Sequence, residues 1–122
     1  MMQTIIKTIM EGKTINEVTA LSVCSNTKDL MERAYNSFRV FHPDMKLIII
    51  DGSDRGDPCF EYVCSIASDV TMVGVYGYNI GHGRGMDAGI QLVKTKYALI
   101  FDSDIVMSVS YTHLTLPTIL LV

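Results

Sequence analysis

Two aspartates near the carboxyl end of the chain, Asp102 and Asp104, have the residue type and spacing of a metal-binding pair. They follow the apolar run YALIF, residues 97–101, and only Ser103 separates them. Two carboxylates ~4 Å apart repel each other by several kcal/mol at an effective dielectric of about 20. A divalent cation that prefers oxygen ligands, Mg²⁺ or Mn²⁺, offsets that repulsion and keeps positions free for substrate phosphates. The alternative is that the two acids end a strand as solvated turn residues.

Further polar residues follow two other apolar segments. Ser25 and Asn26 come directly after VTALSVC, and Asp51 ends KLIIID. Buried parallel strands have nearly continuous apolar sequences, and open α/β sheets bind ligands at the carboxyl ends of their strands. Together with Asp102 and Asp104, these residues predict a ligand crevice along one edge of a sheet.

Apolar segments that alternate with helical patterns are the elements that would position these residues. Strands are predicted at 18–24, 46–51, 71–75 and 97–101. Asp57 and Pro58 are predicted to cap and begin the second of three helices. The helical positions predicted to face the core recur at helical spacing and are Leu30, Ala34, Phe38 and Phe41, then Phe60, Val63 and Ala67, then Met86, Ile90 and Val93. Alternating strands and helices predict an α/β, Rossmann-like, mostly parallel open sheet with flanking helices.

Composition limits the classes of function. The 122 residues are 48% hydrophobic with a net charge of −3, which is enough for one domain with a core and gives no basic surface for nucleic acid. No stretch approaches the length of a membrane span. Cys24, Cys59 and Cys64 are odd in number and lack CxxC spacing, which argues against a zinc site and a disulfide framework and favours a reducing compartment, the cytoplasm.

Three segments of the chain differ in character. Residues 1–16 are predicted to form an N-terminal arm or a short helix, and residues 17–107 the ligand-binding α/β half-domain. Residues 108–122 have no clear periodicity and are interrupted by Pro117. Because they do not continue the preceding pattern, we expect them to be an artefactual tail on a chain that naturally continues past about Val106. The alternative is a genuine apolar C-terminal strand.

Four motifs follow one another along the chain. They are the first strand with Ser25 and Asn26, IIIDGSD at 48–54, NIGHGRGMDAGI at 79–90, and FDSD at 101–104. In this order they resemble the nucleotide-binding half of family 2 glycosyltransferases of the GT-A fold, and the resemblance covers roughly residues 18–105.

The resemblance implies a nucleoside diphosphate sugar as ligand, with a UDP-sugar favoured. The residues implied for nucleotide-sugar binding are Ser25, Asn26, Asp51, His82, Arg84 and Asp102. The cation, Mg²⁺ or Mn²⁺, would be held by Asp102 and Asp104. The family's acceptor-binding half and catalytic base lie downstream of this region, so no catalytic residue is assigned. We expect the parent enzyme to transfer sugar to an unknown glycan, lipid or protein acceptor, and this fragment alone to be inactive.

The glycine-rich segment adds a physical argument for an anionic ligand. Gly81, Gly83 and Gly85 are expected to adopt positive φ and to let the backbone approach a ligand. The helix that follows offers free N–H groups to a diphosphate, and Arg84 carries a planar fork of donors suited to phosphate oxygens.

Two other classes of protein use similar patterns. GRGMDA at 83–88 fits the G-x-G-x-x-A fingerprint of an NAD(P)-binding Rossmann unit, but residues 78–82 intervene after the third strand and the fingerprint normally opens the fold. A non-catalytic, flavodoxin-like binding domain whose acidic edge holds a cation is the second alternative. A P-loop is excluded, since no GK[ST] follows the glycines.

Overall fold

The computed structural model describes residues 17–103 and 118–121. Within them the chain forms strands and helices that alternate in sequence up to the fourth strand. The strands are β1 (Val18–Cys24), β2 (Lys46–Asp51), β3 (Thr71–Val75), β4 (Tyr97–Ile100) and β5 (Thr118–Leu121), and the helices are α1 (Lys28–Phe41), α2 (Pro58–Ser65) and α3 (His82–Leu92).

The sheet has the order β3-β2-β1-β4-β5. β1 pairs in parallel with both β2 and β4, β2 pairs in parallel with β3, and β5 is antiparallel to β4. The predicted Rossmann-like, mostly parallel sheet is therefore confirmed. Because parallel strands point the same way, the carboxyl ends of β1, β2 and β4 meet at one edge.

The antiparallel strand β5 comes from the segment that the sequence pattern set apart. Its pairing with β4 runs from Tyr97 opposite Leu121 to Ile100 opposite Thr118. That residues 108–122 are an artefact stays a prediction. The arm or short helix proposed for residues 1–16 lies outside the described residues.

Helix α1 buries a stripe that matches the predicted one at Ala34 and Phe38 but not at Leu30 and Phe41. Met31, Ala34 and Phe38 are fully buried, whereas Leu30 is 39% exposed and Phe41 is 37% exposed. Two overlapping sets of apolar residues in this helix have helical spacing. The helix packs against the core through the set that includes Met31. The prediction of a core position was wrong for Leu30 and Phe41.

Helix α2 also presents a shifted face to the core. Asp57 caps it by accepting a hydrogen bond from the Cys59 N–H at 2.9 Å, and Pro58 occupies its first turn, as predicted. Cys59 and Val63 are buried, whereas Phe60 is half-buried and Ala67 lies exposed beyond the last turn. The prediction of a buried Ala67 was wrong because the helix ends at Ser65.

The helices cover both faces of the sheet. Alternate strand residues point to opposite faces, so that Leu47 and Ile49 pack beneath α1 and α2, and Ile48 and Ile50 pack beneath α3. Met86, Ile90 and Val93 pack against this second cluster, as predicted, although Met86 and Ile90 are only half-buried. Among the described residues, no helix is long and apolar enough to cross a bilayer.

Helix α3 approaches the sheet closely because two glycines face it. Both Gly85 and Gly89 are buried. A Cβ at position 85 would lie 2.7 Å from Val23 Cγ1, and a Cβ at position 89 would overlap the Leu21 side chain, reaching its Cγ at 3.2 Å. Leu21 is fully buried, and protein interiors are closely packed, so its side chain is held among its neighbours.

We therefore expect Gly89→Ala to lower the free energy of unfolding by about 1–3 kcal/mol through overpacking. Gly83→Ala, in the same helix, is the matched control, because no atom lies within 4 Å of the added Cβ and alanine favours helix by up to about 1 kcal/mol over glycine. Urea denaturation of both variants measures the difference. Equal stabilities would contradict the close packing of α3 on β1.

Candidate functional site

A cavity of about 230 Å³ lies at the edge where β1, β2 and β4 end. Its lining comes from the end of β1 and the following loop, the residue after β2, the segment that leads into α3, and the residues after β4. The lining residues are Val23, Cys24, Ser25, Thr27, Gly52, Asn79, Ile80, Gly81, His82 and Ser103.

The residues predicted to bind a nucleotide sugar divide into two groups. Ser25 and His82 line the cavity. Asn26, Asp51, Arg84 and Asp102 do not line it, although Asp102 adjoins the lining residue Ser103 and its side chain is exposed.

Asp104 lies outside the described residues. Its partnership with Asp102 therefore stays a prediction.

Sequence reasoning missed several lining residues. Gly52 and Ser103 immediately follow strands, so their position along the chain was a usable signal. Thr27 stands in a polar turn next to the Ser25–Asn26 motif, and only the folded chain brings it to the cavity. Asn79 also lines the cavity, and it begins the glycine-rich motif at 79–90 that the sequence had already singled out.

Asn26 fixes the loop between β1 and α1. Its φ of 52° places it in the left-handed region, which asparagine tolerates better than most residues. Its Oδ1 accepts the Asp54 N–H at 3.0 Å, and its own N–H donates to Ser53 Oγ at 2.8 Å. Asn26 thus ties the loop after β1 to the loop after β2.

Asp51 has no exposed surface. Its Oδ1 accepts the Ser53 hydroxyl at 2.6 Å and contacts the sulfurs of Cys24 at 3.3 Å and Cys59 at 3.7 Å. Its other oxygen, Oδ2, is buried and has no hydrogen-bond partner among the described residues. Asp51 therefore anchors the β2 end from inside.

The two thiols beside Asp51 have opposite acid–base properties. Hydrogen bonding with Cys59, together with burial, raises the pKa of the Cys24 thiol. The hydrogen bond with Cys24 lowers the pKa of the Cys59 thiol to about 7, against the effect of burial. Cys59 is therefore the first of the pair to become a thiolate as the pH rises.

Cys24, Asp51 and Cys59 form a compact group of ligand-type side chains. One atom of each lies within 4.8 Å of the others. They come from β1, β2 and the first turn of α2. The argument from CxxC spacing could not foresee this group, because its members are far apart in sequence.

The start of α3 supplies backbone N–H groups to the cavity. Gly81 precedes the helix with a φ of 89°, and its N–H donates to Asn79 Oδ1 at 2.9 Å. The N–H groups of a first helical turn have no intrahelical acceptors and attract anions. His82 begins α3 and lines the cavity beside them.

The expectation of positive φ was confirmed for Gly81 and wrong for Gly83 and Gly85. Gly83 and Gly85 lie inside α3, and Gly85 serves the packing of the helix on Val23. A dinucleotide fingerprint needs its first glycine in the tight turn between strand and helix. The position of Gly83 within the helix therefore argues against that function.

A second cavity, about 370 Å³, lies at the opposite, amino ends of the strands. Lys46, Val70 and Leu92 are among its lining residues. It contains none of the residues predicted to bind a ligand, so the smaller cavity is the candidate site.

Comparisons with known proteins support the fold. No protein-family model matches the chain, and no curated protein matches it in sequence. The fold is similar to that of the mannosyltransferase PcManGT from Pyrobaculum calidifontis, solved in complex with GDP-Man and Mn²⁺, with a TM-score of 0.61 and 15% identity over 79% of this chain and 30% of that one.

The fold is also similar to that of S. aureus TarS. For TarS 1–349 the TM-score is 0.59 with 13% identity, covering 72% of this chain and 27% of that chain. For a second TarS structure the TM-score is 0.56 with 16% identity, covering 72% and 16%. The chain thus spans less than a third of the length of each of these structures.

Ser53 links the buried Asp51 to the Asn26 loop, so Ser53→Ala tests this connection. We expect the free energy of unfolding to fall by about 1–3 kcal/mol, because the change removes the hydroxyl that donates to the buried Asp51 carboxylate and leaves the Asn26 N–H without its acceptor. The matched control is Ser25→Ala, since the Ser25 hydroxyl is only partly buried and donates to the Gly52 carbonyl. Chemical denaturation should show a smaller loss for the control, and an equal or larger one would contradict the anchoring role of Ser53.

Proposed function

We propose that this chain binds a nucleoside diphosphate sugar in the cavity at the carboxyl ends of β1, β2 and β4. It would then be the donor-binding part of a glycosyltransferase that resembles family 2 of the GT-A fold. The observation that carries the proposal is that Ser25, His82 and Ser103, from three separate elements, line one cavity. A mannosyltransferase of similar fold was solved with GDP-Man and Mn²⁺.

The base and ribose would occupy the side of the cavity formed by the loops after β1 and β2. Ser25 lines this side and donates its hydroxyl to the Gly52 carbonyl at 3.0 Å. We assign direct contact to Ser25. Asn26 and Asp51 would act by holding the two loops in place, since their polar groups are engaged with Asp54 and Ser53.

The diphosphate would lie against the start of α3. The helix dipole and the N–H groups of the first turn favour negative charge there. His82 lines the cavity at this point, and the exposed Arg84 lies two residues further along the helix. We propose that His82 contacts the ribose or diphosphate and that Arg84 offsets phosphate charge as the ligand enters.

A hard divalent cation, Mg²⁺ or Mn²⁺, would be held by Asp102 and Asp104. The exposed Asp102 beside Ser103 fits this role, because such ions prefer carboxylate oxygens and keep water and phosphate ligands. The buried thiols of Cys24 and Cys59 do not suit these ions. When bound, the cation supplies Lewis-acid stabilisation of the leaving nucleoside diphosphate.

We assign donor binding, and not sugar transfer, to this chain. The resemblance implies that the family's catalytic base lies downstream of the pattern at residues 18–105. The acceptor of the parent enzyme, a glycan, a lipid or a protein, therefore does not enter the proposal.

Isothermal titration of the chain with UDP, GDP and NAD⁺, each with and without Mn²⁺, tests the proposal. We expect Mn²⁺-dependent binding of a nucleoside diphosphate, with UDP favoured, and no comparable binding of NAD⁺. Tight binding of NAD⁺ would instead support a dinucleotide-binding unit. Binding of Mn²⁺ without any nucleotide preference would support a flavodoxin-like cation-binding domain.

Substitutions at the acidic pair test the metal assignment. Asp102→Asn and Asp104→Ala are each expected to raise the Kd for the preferred nucleotide in Mn²⁺ at least tenfold, to the value measured with a chelator. Asp69→Asn is the matched control, because Asp69 is an exposed acid that lines the cavity at the opposite end of the strands. An unchanged Kd in both acidic-pair variants, with folding verified by circular dichroism, would falsify the metal assignment.

A further inference from the structure

The group formed by Cys24, Asp51 and Cys59 is the strongest unassigned feature of the described residues. Cys24 is 5% exposed, and Asp51 and Cys59 have no exposed surface. These side chains meet beneath the cavity, because Cys24 ends β1 and also lines the cavity wall. Two sulfurs and a carboxylate are an unusual cluster in an apolar core.

The carboxylate is not fully satisfied by the protein. The Ser53 hydroxyl and the two thiols all contact Oδ1 of Asp51. The other oxygen, Oδ2, is buried and has no hydrogen-bond partner among the described residues. A buried charge without a counter-charge is costly, and buried charges are normally paired or bound to a metal. Within residues 17–103 and 118–121, no ion pair supplies this carboxylate with a positive partner.

The spacing of the donor atoms matches a tetrahedral metal site. Zn–S bonds of about 2.3 Å and Zn–O bonds of about 2.0 Å at tetrahedral angles place sulfur and oxygen about 3.5 Å apart. The observed distances from Asp51 Oδ1 are 3.3 Å to Cys24 Sγ and 3.7 Å to Cys59 Sγ. Both sulfur-to-oxygen distances thus fit a single shared ion, and the two sulfurs lie within 4.8 Å of each other.

We propose that Cys24, Asp51 and Cys59 form a binding site for a thiophilic divalent cation of the Zn²⁺ class. Soft thiolate ligands select Zn²⁺ over Mg²⁺ and Mn²⁺, so this site differs in chemistry from the carboxylate pair at Asp102 and Asp104. The two thiol protons leave to solvent as the Zn–S bonds form. The site does not depend on the proposed nucleotide-sugar function.

The cation is left with an open coordination position. Zinc sites with a purely structural role usually have four protein ligands, whereas three protein ligands leave room for water or another ligand. Because Cys24 lines the cavity wall, a water or a donor atom of a bound molecule reaches the ion from the cavity side. Ser53, which donates to Asp51 at 2.6 Å, orients the carboxylate as an outer-shell partner.

The experiment is a Co²⁺ titration of the full 122-residue chain under a phosphine reductant, followed by displacement with Zn²⁺. We expect one thiolate-bound Co²⁺ per chain, counted by the thiolate-to-cobalt charge-transfer absorption and by the strong visible bands of a tetrahedral ion. Cys24→Ser and Cys59→Ser should each weaken Zn²⁺ affinity at least tenfold and reduce the charge-transfer band. Cys64→Ser is the matched control, since Cys64 is exposed on the same helix as Cys59.

X-ray absorption of the Zn²⁺-loaded wild-type chain provides a readout that does not depend on how the variants fold. Two sulfur neighbours at about 2.3 Å would support the site. A shell without sulfur, absence of Co²⁺ binding by the wild-type chain, or loss of the band in Cys64→Ser would overturn it. Asp102→Asn should leave Zn²⁺ affinity unchanged, so that the outcome is separate from that of the nucleotide-binding test.

Discussion

Parallel pairing of the central strand β1 with β2 on one side and β4 on the other determines where everything else in the site can lie. The register places Cys24 opposite Asp51, and the chain continues this alignment beyond the strands, where the Gly52 N–H donates to the Cys24 carbonyl at 2.8 Å. On the other side, the Phe101 N–H donates to the Leu21 carbonyl at 3.1 Å. Three chain segments therefore leave the sheet at the same edge, and a cavity forms between them.

Two aspartates at the same edge of the sheet lie in different environments. Asp102 follows β4 and is exposed, whereas Asp51 ends β2 with no exposed surface. A carboxylate in water is available to a hydrated ion such as Mn²⁺, while a buried carboxylate must find partners within the protein. The same residue type thus stands in two chemically different environments at one sheet edge, and burial makes the difference.

The approach of α3 to the sheet sets the remaining wall of the cavity. Gly85 and Gly89 bring the helix close to Val23 and Leu21, and Gly81 turns the chain into the helix with a φ of 89°. The glycines therefore divide between two tasks. One allows the turn that presents the first N–H groups of α3, and the others allow close packing that fixes where those groups lie.

Much of the architecture was already determined by the amino-acid sequence. The bounds of β1, β2 and β3, the parallel order of strand and helix, and the cap at Asp57 with Pro58 follow from local patterns, because apolar runs and capping residues act over a few positions. The carboxyl-end position of Ser25, Asp51 and Asp102 follows in the same way.

Only the tertiary structure decided which face of each helix is buried and which polar groups meet. Two apolar stripes in α1 have the same period, and packing in the core cluster with residues of β1, β2 and α2 selects the one that contains Met31. The contact of Cys24 with Asp51 and Cys59 depends on strand register and on the placement of α2. Such contacts join residues that are distant in sequence. Local sequence patterns cannot predict them, because they form only when the sheet and helices are assembled.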